Sequence, residues 1–377
     1  MIPVNEPLLG ERELQYTHEC IRSGWISSTG RFVEEFENSW AAYCGRRHGV
    51  AVCNGTAALQ LAVAGLELQP GDEVIMPAFT IISCATAVLA VGAVPVLVDC
   101  DPRTWTMDVD QVADRITPRT RAVMPVHIYG HPVDLDPILA LAQEHDLAVI
   151  EDAAEAHGAE YLCGRARGDG TWRRCGGFGT ASCFSFYANK IVTTGEGGMV
   201  LTNDAALARR YHALRNLCFG TESRFRHEGL GFNFRMTNLQ AAVGVAQVER
   251  IAETLERKRW MGREYTRRLR DVPHLQVPVE EPWARNVYWM YGVLIGSEVG
   301  ASAGQVAAVM REKGVDTRPF FLGLHEQPAL VQRGLFHEER YPVTERLSRQ
   351  GLYLPSSATL TEDQSRHVGE VLREVVS

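Results

Sequence analysis

Through the first two-thirds of this chain, short apolar runs alternate with segments of helical periodicity, and that alternation limits the fold more than any other feature. Runs at 49–53, 73–77, 94–98, 121–126, 147–151, 182–186 and 198–202 have the length and residue types of strands buried on both faces. Helical patterns at about 56–66, 80–91, 134–145 and 204–216 lie between them. Strand, helix, strand in this rhythm predicts an α/β fold with a mostly parallel sheet. After Thr237 the rhythm stops. Leu239, Val243, Val248, Ile251 and Leu255 recur at helical spacing and a charged stretch follows to Arg270, which predicts one long helix. The expected organisation is a large domain over 1–249 and a smaller C-terminal α+β domain over 250–377.

Residues 74–98 carry no charge and could by length span a bilayer. Pro77, Gly92 and Pro95 divide the stretch and Thr80, Ser83 and Thr86 are polar, so it is read as strand, helix and strand. A formal charge of -8 gives no general attraction to nucleic acid or to anionic membranes. The nine cysteines form no CxxC pair and sit in apolar stretches, the pattern of reduced thiols in a cytoplasmic protein. No basic-then-apolar leader opens the sequence. Cys163, Cys175 and His157 match no common zinc spacing, and no metal is expected. Residues 163–177, rich in Gly and Arg, read as an exposed loop.

Three places carry candidate chemistry. The run 182–186 leads to Lys190 and then to Thr193-Thr194-Gly195-Glu196-Gly197-Gly198. A lysine desolvated beside apolar structure has a lowered pKa and a nucleophilic amine, although a surface lysine at a strand end would look the same. Asp152 follows the apolar run 147–150, where a carboxylate needs a partner; a helix cap or an ion pair would also serve. Asn54-Gly55-Thr56-Ala57-Ala58 joins a strand to a helix and offers free N–H groups suited to a phosphate. Neither Gly195-Glu196-Gly197-Gly198 nor Gly168-Asp169-Gly170 continues into a dinucleotide-binding fingerprint.

Taken together, longer motifs in a fixed order resemble the DegT/StrS-type nucleotide-sugar aminotransferases, a branch of the aspartate-aminotransferase fold. They are Asn54 to Leu59, Pro70-Gly71-Asp72-Glu73-Val74, Pro125-Val126-His127-Ile128-Tyr129-Gly130, Glu151 to Ala156, Phe184 to Lys190 and Gly231 to Asn238. The resemblance implies a fold type I transferase dependent on pyridoxal 5'-phosphate, with Lys190 as the Schiff-base lysine. It also implies Asp152 at the pyridine nitrogen, Glu155 near the ring hydroxyl, and Gly55, Thr56 and Ser185 at the phosphate. Asn233 matches a position that reaches the phosphate from the neighbouring subunit of a homodimer with shared sites. The implied reaction moves an amino group from L-glutamate to the 4-keto carbon of a nucleotide-linked 6-deoxy sugar. Within the family the likeness is clearest to members acting on a GDP-linked sugar, through Tyr288-Trp289-Met290-Tyr291 and through Thr317-Arg318-Pro319 leading to His325. Trp289, Arg318 and His325 are therefore the expected substrate residues.

The sequence departs from the family twice. Ile81 stands where an aromatic residue commonly covers the cofactor ring, and the 163–177 segment is long. A sugar dehydratase of the same fold would carry histidine in place of Lys190. A non-catalytic relative would have no use for Lys190, Asp152 and Ser185 together.

Overall fold

In the computed structural model, which describes residues 1–165, 168, 170–220 and 225–376, the seven apolar runs form one sheet. Its order is His48–Val52, Gly198–Thr202, Ala181–Ser185, Ala148–Asp152, Thr120–Val123, Glu73–Pro77 and Val94–Val98. Gly198–Thr202 runs antiparallel to both its neighbours, and the other adjacent pairs are parallel. Such strands are covered on both faces, which is why each reads as a nearly unbroken apolar run. The uncharged stretch 74–98 resolves into strand Glu73–Pro77, helix Ser83–Leu89 and strand Val94–Val98. No helix among the described residues is long and apolar enough to cross a membrane.

Helix Gly55–Gly65 packs on strands Ala181–Ser185 and Gly198–Thr202. It starts where it does because the Asn54 side chain accepts from the Ala57 N–H at 2.8 Å. At the carboxyl ends of the parallel strands the chain delivers Gly55, Ile81, Asp152 and Ser185 to the same edge of the sheet, where open α/β sheets bind ligands.

Elsewhere the structure revises the sequence reading. The long helix expected from Leu239 to Arg270 is two, Asn238–Glu249 and Ile251–Leu269, separated at Arg250 with φ -113° and ψ 9°. Apolar spacing continues across that break, so periodicity alone could not reveal it. The first helix has a capping box, Thr237 with Gln240. The expected loop at 163–177 includes half of a hairpin, Glu160–Cys163 paired with Thr171–Arg174, and Ala284–Arg285 adds a third strand. Ala166, Arg167 and Asp169 of that segment lie outside the described residues.

The C-terminal region builds a separate four-stranded antiparallel sheet from Leu275–Gln276, Tyr291–Ile295, Gly351–Leu354 and Arg318–Pro319. It packs with helices Ile251–Leu269 and Glu362–Val376 around its own core. A boundary at 249/250 is crossed in both directions. Ile2 bridges Val315, the Ser356 N–H donates to the Val4 carbonyl, and Ala284–Arg285 pairs with Glu160–Cys163.

Candidate active site

Lys190 enters a cavity of about 510 Å³ that opens over the carboxyl edge of the large sheet. Its side chain is 9% exposed, with Nζ 3.8 Å from Glu155 Oε1 and 3.5 Å from the centre of the Trp289 ring. Burial lowers the lysine pKa, opposed by the Glu155 and Asp152 carboxyls. Burial also raises Glu155 to about 7, opposed chiefly by Lys190. Both shifts favour a neutral amine, the reactive form for attack on a carbonyl.

The Glu155 carboxyl is fixed by the Tyr129 N–H, which donates to Oε2 at 2.7 Å. That N–H is presented by a tight turn in which Tyr129 has φ 53° and Gly130 φ 99°. A Cβ on Gly130 would lie 2.9 Å from the Trp289 nitrogen, so glycine lets the turn approach Trp289. The indole N–H of Trp289 in turn donates to the Asn189 carbonyl at 2.8 Å.

Asp152 is 2% exposed and lines the same cavity. Its Oδ1 accepts from the Ala154 N–H at 3.0 Å and its Oδ2 from the Cys84 thiol at 3.2 Å. Burial raises its pKa, and among the described residues no cation lies within ion-pairing distance. A carboxylate buried in this state fits a cationic ring nitrogen. Its neighbour Glu151 points to the opposite face of the strand, as alternation requires. There it accepts from His127 Nε2 at 2.8 Å and from the Gly176 and Phe178 N–H groups. His127 Nδ1 accepts from the Val133 N–H at 2.9 Å, which leaves Nε2 as the donor. With Cys175 these two residues form the one compact group of metal-ligand types among the described residues, but the hydrogen bonds already use the carboxylate.

Around the first turn of helix Gly55–Gly65, Thr56 Oγ1 lies 2.8 Å from Ser83 Oγ, and Ser185 faces Gly55. A Cβ at Gly55 would fall 2.6 Å from Ser185 Cβ, so the strand end and the helix start meet only because no side chain intervenes. The N–H groups at this turn have no helical partner and suit a phosphate.

The cavity thus brings together Gly55, Thr56, Ile81, Asp152, Glu155, Ser185, Lys190 and Trp289. Three expected residues are not among its walls. Asn233 is exposed outside it. Arg318 is exposed and turned to Asp316, 2.7 Å away. His325 is buried and not among its walls, 3.5 Å from Glu345 and against the Tyr341 ring. Arg318 and His325 thus stand outside this cavity, each near a carboxylate of its own chain. The sequence reading also missed Tyr129 and Cys84. Tyr129 stands inside one of the family motifs, while Cys84 is one of the nine thiols in apolar stretches and its sequence context gives no signal of its contact with Asp152.

A family model described as the DegT/DnrJ/EryC1/StrS aminotransferase family matches residues 7–373. GDP-perosamine synthase of Caulobacter vibrioides is 42% identical over 381 aligned residues, covering 100% of this chain and 98% of that protein. GDP-perosamine synthase of Escherichia coli O157:H7 is 37% identical, with 100% and 99% covered. Among solved structures, the aminotransferase TlmJ from Streptoalloteichus hindustanus is similar at a TM-score of 0.90 and 31% identity, covering 100% of this chain and 98% of its own.

Proposed function

Because this chain belongs to the DegT/DnrJ/EryC1/StrS aminotransferase family, we propose that it aminates the 4-keto carbon of GDP-4-keto-6-deoxymannose with L-glutamate as donor, yielding GDP-perosamine. The observation that carries the reading is the meeting of Lys190 with Asp152 in one cavity: a desolvated amine beside a buried carboxylate that lacks a cation. Full-length similarity to curated GDP-perosamine synthases supports the choice of sugar.

Pyridoxal 5'-phosphate fits these residues. Its phosphate would be held by the Gly55 and Thr56 N–H groups and by Ser185, with Asn233 of a second copy completing the site. Asp152 would hold the ring nitrogen protonated, Glu155 would lie near the ring hydroxyl, and Ile81 would border the ring. The bound cofactor supplies an electron sink for the carbon that gains or loses a proton. Lys190 would hold it covalently and, when free, would take and return that proton at Nζ. Burial, against the opposing pull of the Glu155 carboxyl, keeps the amine from being locked as ammonium. Trp289 covers the lysine and excludes water.

A homodimer with shared sites is part of this reading. Ile21, Trp25 and Ile26 are exposed apolar side chains close together along the chain, a burden that a second copy would cover. A cytoplasmic location fits the reduced thiols and the nucleotide-linked substrate.

The test offers L-glutamate with GDP-, UDP- and dTDP-linked 4-keto-6-deoxy sugars and reads products by mass spectrometry. The expected result is fastest turnover of the GDP-linked sugar. Faster turnover of a UDP- or dTDP-linked sugar would overturn the assignment.

A further inference from the structure

Lys258, in the interior of helix Ile251–Leu269, is 2% exposed. Among the described residues no carboxylate lies within ion-pairing distance, and burial alone pushes its pKa down to about 7. A buried amine of this kind is costly, and an apolar side chain of similar length would fill the space without that cost. What lysine adds is donors. Its Nζ donates to the Trp289 carbonyl at 3.0 Å and to the Ser356 carbonyl.

These carbonyls flank the end of one strand ladder. Trp289 precedes strand Tyr291–Ile295 and Ser356 follows strand Gly351–Leu354, which pair through Tyr291 and Leu354. Beyond that last pair, the Tyr291 N–H donates to Ser356 Oγ at 2.9 Å and Lys258 ties the two chains together. From Trp289 the bonds run on to the reaction centre, through the indole N–H to the Asn189 carbonyl and through the ring face to Lys190 Nζ. A small void of about 20 Å³ is bounded by Asn189, Lys190, Thr254 and Lys258, so the two lysines lie on the same internal space.

We infer that Lys258 is a positioning residue for the chemistry at Lys190: it fixes the Trp289 main chain so that the indole holds the Lys190 amine at the cavity. The inference rests on the reading of Lys190 as the lysine that carries the cofactor. It concerns neither the amino donor nor the sugar, and its test needs neither.

The test mixes cofactor-free protein with pyridoxal 5'-phosphate and follows covalent attachment by absorbance, separating the maximal rate from the half-saturating concentration. Lys258→Met should lower the maximal rate about tenfold or more, because two carbonyls lose a strong donor and Trp289 loses its anchor. The half-saturating concentration should stay within about twofold, since Gly55, Thr56 and Ser185 are untouched. Trp289→Leu should produce a similar loss, and the double variant should be no slower than Trp289→Leu alone, the non-additivity of residues acting through one another. Lys258→Gln, which keeps an N–H donor, should fall between wild type and Lys258→Met. Attachment by Lys258→Met at the wild-type rate would overturn the inference, as would a double variant whose loss is the product of the two single losses. Failure of both Lys258 variants to fold would also overturn it, by assigning Lys258 to folding. Failure of the wild type to attach the cofactor at Lys190, read by borohydride reduction and peptide mapping, would instead strike the functional reading.

Discussion

Ile81 stands where the resemblance to the family leads one to expect an aromatic residue, and the structure places it at the cavity. Ile81 is 41% exposed at the cavity wall, so its side chain is free to border a ring there. Phe79, the nearest aromatic in sequence, cannot substitute, because it is 1% exposed and packed edge-on against Tyr129, 6.0 Å between centres. An aromatic at 81 would add roughly 0.5–1.5 kcal/mol of stacking, a few-fold to about tenfold in affinity. With Lys190 bonded to the cofactor as proposed, the covalent link would hide that difference. The amino form of the cofactor has no such link. Ile81→Tyr should therefore release pyridoxamine phosphate a few-fold to about tenfold more slowly than wild type after L-glutamate is added without sugar, as measured by dialysis. Equal release rates would mean that another group covers the ring. The residues legible from sequence here were those whose type demands a partner, Lys190 and Asp152. Trp289 was named as a substrate residue, yet its ring lies against Lys190 and its indole N–H against Asn189. Contacts of this kind join positions about a hundred residues apart, and no local pattern records them.

The elements divide in the same way. Strands buried on both faces announce themselves as apolar runs, so all seven were read close to their true ends. Helices Glu11–Ser23 and Arg31–Tyr43 were not read at all: they are rich in charged and polar residues and their partner, helix Asn238–Glu249, is distant in sequence. Strand Thr171–Arg174, half of the hairpin, lies in the segment 163–177 that reads as a loop, because Gly and Arg dominate its composition while pairing is set by backbone. The junction of helix Gly55–Gly65 with strand Ala181–Ser185 makes the sharpest demand on a single residue. A methyl group at position 55 must push the helix start and the strand end apart, an overpacking cost of about 1–3 kcal/mol. Gly55→Ala should lower the melting temperature and weaken cofactor binding about tenfold or more, since in the proposed site the same backbone would form the phosphate seat. Equilibrium dialysis and thermal unfolding of the cofactor-free variant check both effects; unchanged binding would remove this turn from the phosphate site.

For the whole molecule, the exposed Asn233 makes shared sites testable by mixing. Lys190→Ala and Asn233→Ala proteins, each inactive, should regain part of the activity together, because some mixed dimers contain one intact site. No recovery after confirmed subunit exchange would count against shared sites. The global stability should also carry the signature of Lys258, whose pKa is about 7 in the fold against an ordinary 10.5. Below pH 7 both folded and unfolded chains hold the proton, and the fold bears the full cost of burying it. Between about 7 and 10.5 the fold has released the proton while the unfolded chain keeps it, so rising pH stabilises the fold by up to about 1.4 kcal/mol per pH unit. Lys258→Met has no proton to lose. Other buried groups, including Lys190 with its lowered pKa, are common to both proteins and cancel in the difference. Urea unfolding of the cofactor-free proteins at pH 7, 8 and 9, at one protein concentration, should find wild type gaining on Lys258→Met at each step. A difference that stays constant with pH would mean that Lys258 does not titrate in this range. The carbonyls of Trp289 and Ser356 would then be holding an ammonium ion throughout, and burial alone would not set its charge.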